Sequence, residues 1–299
     1  MEMRPLRYFV AVADAGSFSR AAAVLDMAQP SLSRQIAALE SELGQRLLVR
    51  HGRGVALTEA GEVLLGHARA MLECAERARE ALRDLQDSPS GRVTVGLPPR
   101  VALGLSAPLV QRFRARFPRA VITVLEGLSV ALRESLIAGR LDMALLFDPS
   151  PSPMLRLESL MRERLVLVAP AGTALPPRVA AAALASYALV LPSAPNAIRA
   201  LLDRHLALQG IHLEVGAEVG AVGTALTLVA QGAGCSILPE SALAADPRAA
   251  SLPRALIGPP SIRNQLVLAV PVPRPASRLS RETAQILREL DFRSAWAGG

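Results

Sequence analysis

The chain contains no lysine. All 33 of its basic residues are Arg, which a GC-rich coding sequence explains without any chemical demand. Aromatic residues make up only 3%, so the cores must be built from Ala, Val and Leu. That scarcity excludes a protein that stacks many nucleobases on aromatic platforms. Two cysteines, Cys74 and Cys235, lie far apart and fit no CxxC or Cys/His ligand spacing. Both read as small buried apolar residues, with redox sensing as the other reading. His51, His67, His205 and His212 are scattered, so no metal and no cofactor are expected. No run of about 18 apolar residues occurs, which excludes a membrane-spanning helix. Asp14 and Arg20 interrupt the N-terminus before a signal segment could form. A soluble, cytoplasmic protein is the expectation.

What is present is a large apolar fraction, 51% of 299 residues, enough for two or three domains. The formal charge of +7 invites a nucleic-acid reading, but its distribution does not carry one. Residues 1–90 hold 11 Arg against 12 acidic residues, and residues 91–299 hold 22 against 14. The case for DNA therefore rests on pattern.

Three regions separate by pattern. Residues 1–58 show short helical periods and then a turn-rich hairpin. Residues 59–90 carry one long helical period. Residues 91–299 alternate β-rich runs with helices. Asp87-Ser88-Pro89-Ser90-Gly91 is a breaker cluster and a natural boundary.

In the first region Leu6, Phe9, Val10 and Ala13 predict a helix ending near Gly16. Ser17 then caps a second helix, Phe18 to Leu25, whose Ala21, Ala22 and Ala23 allow close approach of another. After a short turn, Gln29-Pro30-Ser31 opens a third helix, with Pro30 suited to its first turn. Projected at about 100° per residue, Leu32, Ile36, Leu39 and Leu43 form one buried stripe. Pro30, Arg34, Ala37, Ala38 and Ser41 form the opposite face. Such a slim face, with one cation, fits a B-DNA major groove about 12 Å wide. Arg34 can donate two bonds to a guanine edge, and Gln29 can read adenine. Ser31 and Ser33 can bond bases or phosphates. Gly44 stops the helix. The segments 46–50 and 55–57 then flank His51-Gly52-Arg53-Gly54 as a hairpin wing, with Arg50 and Arg53 placed to hold a DNA backbone or enter a minor groove. Any one of these pieces alone is more often an ordinary solvated surface; the ordered set is what points to DNA.

At these residues the chain resembles the LysR-type transcriptional regulators. The resemblance is carried by 6–9, 16–22, 29–36, Leu39-Glu40, Leu43-Gly44, 47–50 and 57–61, and it continues more loosely to the end. It implies a DNA-binding transcription factor, not an enzyme, with Gln29, Pro30, Ser33 and Arg34 in the base-reading segment and Arg50 and Arg53 in the wing; Ser17 and Ser31 complete the candidate DNA contacts. The effector half is most similar to the subgroup that includes the nitrogen assimilation control protein. The resemblance also implies double-stranded promoter or operator DNA, RNA polymerase and further copies of the chain, as a dimer or tetramer, for partners.

Thr58 can cap the next helix, with Glu59 and Glu62 in its first turn. Gly61, Leu64, Ala68, Met71, Ala75, Ala78, Leu82 and Leu85 recur at alternating spacings of three and four. This two-per-heptad seam reads as a dimerisation face on a rod of about 45 Å. The other reading is a helix packed on its own domain.

The C-terminal half alternates strands and helices, predicting α/β lobes with mostly parallel sheets. The resemblance implies a two-lobed, type 2 periplasmic-binding-protein-like fold. Lobe one would be 91–162 plus 268–299, and lobe two 163–267, with a small-molecule effector between them. The multi-domain chain is thus expected to be α+β overall. Candidate effector contacts are Pro99, Arg100, Ser129, Phe147, Arg199, Gly223 and Thr224, on loops at strand ends. Many relatives have Ser or Thr in the first of these loops, Pro98-Pro99-Arg100, where Arg100 stands here. Two readings of Arg100 remain open: a fork for an anionic effector, or a surface or inter-lobe salt-bridge partner. No GxSxG, HExxH, P-loop or helix-opening GxGxxG occurs. The remaining alternative is a solute-binding protein with no transcriptional role, which the lack of a signal segment opposes.

Overall fold

The computed structural model describes residues 2–51, 54–83, 90–244, 246–272 and 276–292. It divides into two units, Met1–Asp87 and Ser88–Gly299.

The first unit contains α1 (Met3–Ala15), α2 (Phe18–Val24), α3 (Gln29–Leu43), β1 (Leu48–His51), β2 (Gly54–Leu57) and α4 (Glu59–Arg83). Leu6, Phe9 and Val12 of α1 meet Ala21 and Ala22 of α2 and Leu32, Ile36 and Leu39 of α3 in one core. Each fully buried Leu, Ile or Phe contributes roughly 2 kcal/mol there. Ser17 caps α2 by accepting from Arg20 N, and Pro30 sits in the first turn of α3. Gly44, in the left-handed region, ends α3 as expected.

The second unit contains β3 (Gly91–Leu97), α5 (Pro99–Arg116), β4 (Ala120–Glu126), α6 (Ser129–Ile137), β5 (Met143–Phe147), β6 (Leu155–Val168), β7 (Arg178–Val179), β8 (Leu189–Pro192), α7 (Ala197–Ala207), β9 (Val215–Val219), α8 (Val222–Ala230), β10 (Ser236–Pro239), α9 (Glu240–Ala244), β11 (Arg254–Ile257), β12 (Arg263–Pro271) and α10 (Arg278–Arg288). The main sheet runs β4-β3-β5-β12-β6-β11-β7, with β10 also paired to β6, while β8 and β9 form a separate parallel pair. One apolar core joins β3, β5 and β12 to α5 and α10. A second gathers around the end of β6, β8 and α7.

The two lobes are as expected, but the sheet is less parallel than the sequence suggests. β12 runs antiparallel to both β5 and β6, and β10 and β11 run antiparallel to β6. β6 is shared: residues 155–164 pair with β12 and 165–168 with β10 and β11. The crossings therefore fall near 164/165 and 262/263. The second lies earlier than the expected 267/268, because Leu266 and Val267 pair with Phe147 and Leu146 of lobe one. The first half of β6 was not predicted, since its charged residues (Arg156, Glu158, Arg162, Glu163) break any simple apolar run. Among the described residues no helix is long and apolar enough to cross a membrane.

Candidate nucleic-acid interface and effector cleft

The helix on which the DNA reading depends is oriented as its pattern requires. Leu32, Ile36 and Leu39 are buried. Gln29, Pro30, Arg34, Ala37, Ala38 and Ser41 are exposed, and Ser31 and Ser33 are half-buried beside them. Ser17 has a structural duty as the α2 cap, yet stays partly exposed.

The wing forms by antiparallel pairing of β1 with β2, in the register Leu48↔Leu57 to His51↔Gly54. Arg50 lies on β1, and Arg53 at the tip lies outside the described residues. Two contacts fix the wing's base. Val55 N–H donates to Gly16 O at 3.0 Å. The Glu40 carboxylate accepts from Leu47 N at 2.8 Å and Leu48 N at 3.1 Å. Sequence reading missed this role of Glu40, which the outward-inward projection of α3 cannot reveal. Thr58 caps α4 by accepting from Gly61 N and donates to Arg46 O. Gly61 is required here because a Cβ would meet Leu47 O at 2.1 Å.

The seam on α4 also packs within the chain. Leu64, Ala68 and Met71 pack into the core of the first unit, with Ala68 0% exposed. α4 packs against α1, and Arg69 pairs with Asp14. Ala68 is thus buried in the head's own core, while Leu64 and Met71 are half-buried against it. Ala75 is half-buried and Ala78 exposed, and nothing is described of the Leu82 side chain. The open face of α4 is instead Val63, His67, Cys74 and Ala78. Cys74 is thus exposed, contrary to expectation, whereas Cys235 is buried and its thiol pKa pushed up by desolvation.

In the second unit a cleft of about 380 Å³ lies between the lobes. Lobe one contributes Pro99, Arg100, Leu103, Ser129 and Phe147, and lobe two Asn196, Ile198, Val222, Gly223 and Leu226. The wall is mainly apolar. α6 and α8 begin here without side-chain caps, so their first-turn N–H groups face the space with partial positive charge. Asn264 also lines the cleft, with its Oδ1 buried and unpartnered. Sequence reading missed Asn264 because it is the second residue of a strand, β12, where side chains read as core.

Five of the seven predicted contacts line this cleft: Pro99, Arg100, Ser129, Phe147 and Gly223. Arg199 and Thr224 do not. Each is the third residue of its helix, turned by about 200° from the first. Arg199 is held by Asp203 at 2.9 Å and by Glu218, and Thr224 is exposed. Ser129 Oγ accepts from Phe147 N at 2.9 Å, tying α6 to the end of β5.

Arg100 takes the second of its two readings. Its Nη2 donates to Glu163 Oε1 at 2.7 Å and its Nη1 to Ser241 Oγ. The guanidinium also stacks 4.8 Å from the Phe147 ring centroid. Ser241, on α9 of lobe two, donates to Glu163 through both its hydroxyl and its N–H. Asn264 Nδ2 donates to Glu163 as well, at 3.3 Å. The arginine is thus part of an inter-lobe clasp, and it is not a free fork waiting for an anion.

Residues 3–62 match the bacterial regulatory helix-turn-helix proteins of the lysR family, and residues 86–291 match the LysR substrate binding domain. This chain belongs to the LysR family. It is 41% identical over 245 residues to the nitrogen assimilation regulatory protein nac of Escherichia coli, covering 81% of this chain and 79% of that one. With the nac protein of Klebsiella aerogenes it shares 36% over 293 residues, covering 97% and 95%. The crystal structure of full-length CbnR complexed with its target DNA aligns with a TM-score of 0.66 and 26% identity, over 96% of this LysR-type chain and 99% of CbnR. The chain is therefore a LysR-type DNA-binding transcription regulator with an effector-binding domain, similar to the nac proteins.

Proposed function

We propose that this regulator controls a promoter in response to a small, mostly apolar molecule with one anionic group, bound between its lobes. The observation that carries this reading is the cleft itself. Its apolar walls and the uncapped starts of α6 and α8 together suit a ligand with an apolar body and a negative end. The negative end sits against backbone N–H groups, since Arg100 is already engaged. Two copies of the chain pair through the open face of α4, placing two α3 helices on a partly palindromic site, and pairs assemble further into tetramers. Ligand binding favours one lobe arrangement over another and so shifts the geometry presented to RNA polymerase. The protein works in the cytoplasm, where promoter DNA is accessible, and performs no catalysis.

A mobility-shift assay on DNA upstream of the chain's own coding region, at two salt concentrations, tests the DNA half. Arg34→Ala is expected to weaken specific binding about 10–100-fold without lowering Tm. An unchanged affinity refutes base reading by α3. A thermal-shift screen of small carboxylates tests the cleft, and Gly223→Trp, which fills it, must abolish any shift.

A further inference from the structure

The outer face of α3 offers a duplex more than Arg34. At about 100° per residue, Pro30, Arg34, Ala37 and Ser41 lie within about 60° of one another, along one line of the helix. All four are exposed. Leu32, Ile36 and Leu39, on the other side, are buried in the head's core. Ala37 thus stands near the middle of the exposed face, about 4.5 Å along the axis from Arg34. Ser41 lies about 6 Å further on, in the last turns of α3. Those turns are tied to the wing, because Glu40 accepts from Leu47 N and Leu48 N. Helices of this kind meet base edges with their N-terminal part, so Ala37 is near the last side chain that reaches the bases.

Alanine brings a methyl group and nothing that donates or accepts a hydrogen bond. A base edge pressed against it gives up its water. Guanine N7 and O6, adenine N7 and N6–H, or cytosine N4–H would then lose a partner and gain none, which is costly. Thymine alone of the four bases turns a methyl group into the major groove. The apolar surfaces of Ala37 and thymine therefore suit each other, and every other base leaves a polar group facing a methyl.

We propose that Ala37 is a specificity-determining residue that selects a thymine by contact with its C5-methyl group, one or two base pairs from the guanine read by Arg34. The spacing follows from about 4.5 Å along α3 against about 3.4 Å per base-pair step. The assignment rests on α3 reading bases in the major groove, as proposed above. Ala38 is also exposed, but it is turned by about 100° from Ala37 to the edge of the face. It selects no base.

Site selection from randomised duplexes by the full chain, followed by mobility-shift competition, tests the assignment. Each thymine within two pairs of the Arg34 guanine is replaced in turn by deoxyuridine, which lacks only the methyl group. One replacement should weaken binding about fourfold, the effect of losing one buried methyl-sized contact. Ala37→Gly should abolish that sensitivity. Ala38→Gly has the same helix-propensity cost and should keep it. Ala37→Gln carries an amide suited to adenine, so selection should move from thymine to adenine at that one position. The proposal is overturned if no replacement weakens binding twofold, if Ala37→Gly keeps the sensitivity, if Ala38→Gly loses it, or if Ala37→Gln selects the same thymine. Should Ala37→Gly not fold, the parent's deoxyuridine series and Ala37→Gln decide. Failure of base reading by α3 itself has a different signature: Arg34→Ala then leaves the guanine preference unchanged.

Discussion

Arg100 Nη2 lies 2.7 Å from Glu163 Oε1, with the two side chains only 14% and 6% exposed. Ser241, on the far lobe, bonds both partners. An ion pair this dry is held by its hydrogen bonds more than by net Coulomb gain, since desolving two charges is costly. Its effect is to fix where the lobes meet.

Removing one member of that pair leaves the other buried and unmatched. Arg100→Met should destabilise the effector unit by about 3–5 kcal/mol. Adding Glu163→Gln should recover much of that loss, because no buried charge then remains. Calorimetric unfolding of the full chain measures both. Strict additivity would show that the two residues do not act as a pair.

Glu40 holds the first residues of the wing from the inner end of α3. Bonds to a charged acceptor are worth about 1.5–3 kcal/mol. Glu40→Ala should therefore lower stability by roughly that amount and weaken DNA binding without changing base preference. A changed base preference would place Glu40 among the readers of sequence instead.

The face of α4 that meets a second copy is predicted to be Val63, His67, Cys74 and Ala78. Val63 is 62% exposed and Ala68 0%. Ala78→Glu should dissociate the dimer in sedimentation equilibrium while leaving the head folded. Ala68→Leu should instead destabilise the head by about 1–3 kcal/mol through overpacking. The opposite pattern would restore the seam through Ala68.

Asp148 gives the effector unit a pH dependence of definite sign. Its folded pKa is raised from 3.8 to about 6, so the folded state holds its proton more tightly than the unfolded chain does. The group's contribution therefore falls as pH rises between those two values. Asp148→Asn should raise Tm relative to the parent by about 2 °C above pH 6, allowing for the solvent that reaches the group. Below pH 4 the difference should vanish. A Tm gain that persists in acid would mean burial of Asp148 is not the cause.

The sequence made much of this legible because helix and strand periods report burial directly. The stripe Leu32, Ile36, Leu39 on α3 was readable, and so were the strand-end loops that bring Pro99, Ser129 and Phe147 to the cleft. Periodicity reports that a face is buried but not what buries it. Thus Leu64, Ala68 and Met71, spaced like a partner's surface, also pack against the head's own core. Arg199 and Thr224 failed through helical rotation: the right loop was chosen, and the third residue of the turn points elsewhere. Asn264 and Glu163 depend on β6 and β12 running side by side through the lobe crossing. Residues about a hundred positions apart meet there, and no local pattern announces it.

The bond from Val55 to Gly16, together with the Gly54 position where a Cβ would fall 2.6 Å from Gly16 O, gears the wing to the corner between α1 and α2. Grip and reader turn as one rigid key. Altered operator preference is then expected from exchanging the teeth along α3, with the wing held against the α1–α2 corner.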